Sequence, residues 1–88
     1  MDRATFEAAL ISEGFSEIVT VTRVADGFLD THAHPFEAKA LILDGELSIH
    51  VGAVEQRYQI GQIFHLSANQ PHSERYGPHG VQYLVGRK

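Results

Sequence analysis

Cysteine is absent from this 88-residue chain. That removes disulfide staples, thiolate metal ligands and cysteine nucleophiles in one step, and it fits a cytoplasmic setting. Proline is scarce, at three residues, and the eight glycines sit singly where turns are plausible. None of them forms the glycine-rich loop that cradles phosphates. No stretch approaches the roughly 20 consecutive apolar residues that cross a bilayer as a helix, so no membrane partner is expected. The opening MDRATFEAALISEG breaks its apolar residues with acidic ones and lacks a small-residue cleavage site, so it does not read as a signal peptide. Basic residues are few: the formal net charge is -4 and the pI about 5.8. Arg87 and Lys88 are the closest basic pair, which argues against a nucleic-acid partner. Ser73 and His72 form no nucleophile–base pair, because neighbours in a strand face opposite ways.

What is there reads as one domain, since a chain this short has no room for a second core. Much of its surface stays unburied, and a homodimer is the expected way to cover it. Residues 1–14 form a segment of their own: Phe6, Ala9 and Leu10 recur at helical spacing from Asp2 to Glu13, and Gly14 supplies the stop. This helix is expected to pack on a β-barrel made by residues 15–88, or against a partner subunit.

From Ser16 onward the residue types change to those of strands. Val19, Val21 and Arg23 share one face of the first, and Ile18, Thr20, Thr22 and Val24 the other. Further strands are expected over Phe28–His34 and Ala38–Leu43. The apolar run Ala40-Leu41-Ile42-Leu43 implies cover on both faces. Asp44-Gly45 reads as a tight hairpin, after which Leu47, Ile49 and Val51 alternate inward with Glu46, Ser48 and His50 outward. Val54–Ile60 is another strand, then Phe64 and Leu66 point inward and His65 outward. His72–Tyr76 and Val81–Val85 are separated by Gly77-Pro78-His79-Gly80, a loop by composition. Short strands at this spacing indicate an all-β sandwich or barrel.

Chemistry concentrates in two stretches. In GFLDTHAHPFEAKALILDG, Gly27 to Gly45, His32 and His34 lie one residue apart, so in a strand both point to one face, about 7 Å apart along the backbone. In GQIFHLSANQPHSERY, Gly61 to Tyr76, His72 is a candidate third ligand arriving from another strand. The two stretches resemble the paired motifs of the cupin family. His32, His34 and Gly45 match the first motif, with Gly27 one residue closer to His32 than usual. Gly61 and His72 match the second, with Ser67 in place of Pro, Asn69 of Gly and Tyr76 of Asn. The position of the usual metal-binding Glu holds Ala38, or Lys39 by the other permitted spacing.

The resemblance implies a cupin-type antiparallel β-barrel, a double-sheet jelly roll, with a divalent metal ion (Zn, Fe, Ni, Cu or Mn) on His32, His34 and His72. It also implies a small polar or anionic molecule as substrate or ligand, with dioxygenase or isomerase activity among the possibilities. The alternatives are a non-catalytic binding or sensing module, and a barrel whose site has decayed to a polar pocket. Glu74 and Tyr76 share the inward parity of His72 and are the candidate catalytic residues. For Glu74 the choices are a fourth ligand, an acceptor for a histidine N–H, a general base, or a salt bridge with Lys39 or another basic side chain on a neighbouring strand. Tyr76 either offers its hydroxyl to the ligand or fills core volume. Phe36 and Tyr83 are weaker candidates for the pocket lining. Glu37 reads as a turn residue, and His50, His65 and His79 as exposed groups without a role.

Overall fold

The computed structural model describes residues 1–88. One helix, α1 (Arg3–Ser12), precedes six strands: β1 (Glu17–Arg23), β2 (Phe28–His32), β3 (Ala38–Val51), β4 (Val54–Gln59), β5 (Ile63–Leu66) and β6 (His72–Arg87). All pairings are antiparallel.

β3 and β6 are long, and each bends midway. Ala38–Gly45 of β3 pairs with Val81–Arg87 of β6, with β5 and β1 on the flanks. Past the bend, Leu47–His50 pairs with Ser73–Tyr76, now flanked by β4 and β2. The two central strands therefore switch sheets together, giving the orders β1-β6-β3-β5 and β2-β6-β3-β4 around one interior.

Two expectations are corrected here. Asp44-Gly45 is not a hairpin, and residues 77–80 are not a loop: both lie inside continuous strands, at the corner where the sheets meet. The β3–β6 register shifts between Ile42 and Asp44 and again between Gly45 and Leu47. Gly45 and Gly80 take positive φ values of 70° and 72° there. A glycine with φ above zero serves a bulged corner as readily as a turn, and only the partner strand distinguishes them.

The interior between the sheets is filled by Ala40, Ile42, Leu47, Ile49, Phe64, Leu66, Tyr83 and Val85. Phe64 and Leu66 face inward and His65 outward, as the alternation indicates. Leu41 and Leu84 point the other way and meet Phe6, Leu10 and Phe15. The helix thus covers the outer face of the first sheet, which explains the apolar run on both faces of β3. Asp2 caps the helix, its Oδ1 accepting from the Thr5 amide at 2.8 Å. Phe6 and Leu10 are 1% and 0% exposed, and each such burial contributes about 1.5–3 kcal/mol.

Candidate metal centre

His32 is the last residue of β2 and stands directly opposite His72, the first residue of β6, in the antiparallel register. Cross-strand partners share a face, so their imidazoles meet, with ring centroids 4.3 Å apart. β2 ends at His32, so His34 lies beyond the strand rather than within it. Its carbonyl accepts from the amide of Asn69 at 2.7 Å. Asn69 has φ of 62°, a conformation that asparagine tolerates better than most residues. This bond ties the two histidine-bearing stretches together. The His34 ring centroid is 5.1 Å from that of His72 and 5.9 Å from that of His32.

One ring nitrogen from each of the three histidines lies within 4.8 Å of the others. The hydrogen bonds decide which nitrogen is free. His32 Nδ1 faces the Asp30 carbonyl at 2.7 Å, His72 Nδ1 the Gln70 carbonyl at 2.9 Å and His34 Nδ1 the Phe36 carbonyl at 3.3 Å. A carbonyl only accepts, so each Nδ1 carries the proton and each neutral ring keeps a lone pair on Nε2. Backbone carbonyls holding the Nδ1–H of histidines are the support that metal-ligating imidazoles ordinarily have.

Glu74 sits in the same pocket, its Oε2 3.4 Å from His72 Nε2 and 3.6 Å from His32 Nε2. Neither approach has hydrogen-bond geometry, so His72 Nε2 is a buried nitrogen without a partner. A buried polar atom left unpaired costs about 1–3 kcal/mol. An ion in the pocket would supply the missing partner. With metal–nitrogen bonds of about 2.0–2.1 Å, two ligands on one ion stand at most about 4.2 Å apart. Small side-chain adjustments close the present spacing, and the donor set fits a divalent metal.

Burial is the main cause that lowers the His34 pKa, opposed by the Phe36 carbonyl and reinforced by the other two imidazoles. His34 is therefore neutral near pH 7, the form that can ligate. Its ring stacks on Phe36 at 4.2 Å with 4° between planes.

Tyr76 does not line the pocket. It is buried in the interior and its hydroxyl donates to Glu74 Oε1 at 3.2 Å. Burial first, then the Glu74 carboxylate, push the phenol above its ordinary pKa, so it stays a donor. The Glu74–Lys39 salt bridge does not form; Lys39 Nζ instead binds Glu13 Oε1 at 2.8 Å. Glu37 is paired with His65, which gives both a structural partner, and His50 pairs with Glu55 at 3.5 Å. Tyr76→Phe is expected to lower stability by about 1–2 kcal/mol, as for a lost bond to a buried carboxylate. Urea unfolding reads the change as a lower midpoint at unchanged slope.

Ala38, Phe36 and Tyr83 line the pocket with His32, His34 and Glu74. Two charged lining residues, Arg23 and Arg87, are not placed at the pocket by the sequence pattern alone. The signal was present for Arg23: it shares the inward parity of Val19 and Val21, which pack against the interior.

No family model and no curated protein sequence matches the chain. Among solved structures it is similar to the DMSP lyase DddQ of Ruegeria pomeroyi, with TM-score 0.73 and 25% identity over 81% of this chain and 36% of that one. The cupin domain of Schizosaccharomyces pombe Cnp3 superposes with TM-score 0.71 and 17% identity over 80% of this chain and 50% of that one. An HTH_3 family transcriptional regulator of Vibrio cholerae gives TM-score 0.68 and 15% identity over 86% and 44% of the respective chains. The chain spans half or less of each of these. Other matching structures are RmlC-like cupins and a double-stranded β-helix protein. With two sheets closed by shared central strands, one outlying helix and these structural neighbours, the chain is all-β and has the cupin fold.

Proposed function

We propose that this chain is a metal-binding cupin in which His32, His34 and His72 hold one divalent ion and a small polar or anionic molecule binds beside it. The observation that carries this reading is the buried, unpartnered Nε2 of His72 among imidazoles whose Nδ1 atoms are all turned to backbone carbonyls. Three neutral histidines suit Zn, Fe, Ni, Cu or Mn. With no carboxylate at Ala38, the ion would keep its full charge against the ligand, unless Glu74 joins it. A bound ion of this kind acidifies its water and favours anionic ligands.

Glu74 is the candidate general base, beside two of the imidazoles and oriented by Tyr76, which acts as a positioning residue. The enzymatic form of the reading is a non-haem dioxygenase or isomerase. A non-catalytic sensing module is the second reading, and the similarity to a transcriptional regulator over 86% of this chain favours it. We also propose a cytoplasmic homodimer. Val54, Ile60 and Ile63, at 65%, 65% and 36% exposure, are apolar side chains that a partner would cover, and sedimentation velocity tests it.

Elemental analysis of the purified chain is expected to give one transition-metal ion per protomer, and less than a tenth of that in His32→Ala or His72→Ala. Metal content unchanged in both variants would end the three-histidine reading. After iron reconstitution, oxygen uptake with a panel of thiols, diketones and hydroxy acids separates an oxygenase from a binder.

A further inference from the structure

The pocket's two arginines are not equivalent. Arg87 Nη1 donates to Glu17 Oε1 at 3.0 Å, and its guanidinium carbon stands 5.2 Å from the Phe36 ring centroid. Its charge is already matched. Arg23 takes part in none of the chain's ion pairs, which are made by other side chains. It acts on the phenol of Tyr83, a second lining residue, where its positive charge opposes the upward pull of burial and of Glu74 on the pKa. Burial first, and then Glu74, outweigh Arg23 and hold that pKa above its ordinary value, so Tyr83 stays protonated at neutral pH and can donate. Glu74, the acidic residue of the lining, is engaged elsewhere: Oε1 accepts from Tyr76, and Oε2 lies against His32 and His72.

A guanidinium without a carboxylate, beside a phenol that keeps its proton, is the donor set that a carboxylate accepts from two sides. The cavity measures about 90 Å³, which at roughly 10–15 Å³ per water corresponds to roughly six to nine non-hydrogen atoms. A second acidic group on such a ligand would face the histidines.

We infer that Arg23 and the Tyr83 hydroxyl form an anchor for one carboxylate of a short-chain dicarboxylate whose other end faces His32 and His34, the two imidazoles that line the cavity. The second half of this inference rests on the proposed metal-binding reading; the anchor itself does not require the ion.

Malonate, succinate and glutarate, with their uncharged diamides as controls, are titrated calorimetrically into zinc-loaded and EDTA-treated protein. At least one of the acids is expected to bind the native chain, and its diamide to fail. Arg23→Gln should weaken binding at least about tenfold, with Arg23→Lys recovering part of the loss, as expected when one charge-assisted contact is removed. Tyr83→Phe should weaken it by a smaller factor. Arg75→Gln, at an exposed residue over Phe28 and outside the pocket, should change nothing. Affinity in Arg23→Gln within twofold of native, or no binding of any of the three acids at millimolar concentration, overturns the anchor. If zinc binds stoichiometrically while acid binding ignores Arg23, the anchor falls and the metal site stands. If no zinc binds but an acid still binds in an Arg23-dependent way, the metal reading falls and the anchor stands.

Discussion

Gly45→Ala is expected to lower the thermal midpoint by more than about 12 °C, because it strikes the corner at which both central strands change sheets. At φ of 70° an alanine meets its own steric penalty, about 1–2 kcal/mol. The surroundings add a second. A Cβ on Gly45 would overlap the carbonyl oxygen of Gly80 and stand 2.8 Å from its carbon and 3.0 Å from Val81 Cα. Every one of these atoms is backbone, so no side-chain rotation relieves the clash. Gly80 leaves no more room: a Cβ on it would overlap the Arg23 carbonyl oxygen, so a shift there would disturb β1 as well. The combined loss should exceed about 3 kcal/mol, against a total stability of about 5–15 kcal/mol for a domain. At about 4–8 °C per kcal/mol for a chain of this size, the midpoint shift follows. Gly52→Ala is the control: its φ is 58°, and nothing lies within 4 Å of an added Cβ. It should show the conformational penalty alone. Circular dichroism melts of the two variants decide the matter, and equal losses would mean that the corner is not tightly crossed.

That corner also marks the limit of what the sequence made legible. Alternation fixed the inward set Leu47, Ile49, Phe64 and Leu66 because burial on one face leaves a period of two in the residue types. Strand parity paired His32 with His34, but His34 lies past the end of β2 and is tied in by the Asn69 amide instead; the order of the cupin motifs pointed to His72. Asp44-Gly45 and Gly77–Gly80 misled because a positive-φ glycine and a local break in alternation mark a hairpin and a bulged corner alike. The distinction lies in which strands pair, a non-local property. Arg23 was hidden for a related reason: its inward parity was visible, but a charged residue at the end of a strand ordinarily faces water. Only the closed sheets show that one pocket is lined by Arg23 together with His32 and His34. The tautomers of the three rings depend on carbonyls two residues away, Asp30, Phe36 and Gln70, which no side-chain pattern encodes.

Zinc is expected to raise the thermal midpoint of the metal-free chain by about 11–22 °C when free zinc stands at 100 times its dissociation constant. Binding to the folded state alone then contributes about 2.7 kcal/mol, at the same 4–8 °C per kcal/mol. The response should vanish in His72→Leu, and this variant is the informative one. Leucine removes the buried Nε2 that has no partner and leaves the Gln70 carbonyl without its donor. These two changes oppose each other, so without metal the variant should melt within a few degrees of the native chain. A variant that folds as well as the native protein yet ignores zinc separates loss of a ligand from loss of structure. The pH dependence has a definite sign. The His34 pKa lies below 6.5 in the folded chain, with burial the leading cause, so the unfolded chain takes up the proton first as pH falls. Stability linked to this ring is therefore complete above pH 6.5 and declines as pH drops through the folded value. Zinc stabilisation should decline in the same direction, because protons compete for the Nε2 lone pairs. A midpoint that is unmoved by zinc at pH 7.5 after EDTA treatment, or an equal zinc response in His72→Leu, would mean that the three imidazoles do not act together on an ion.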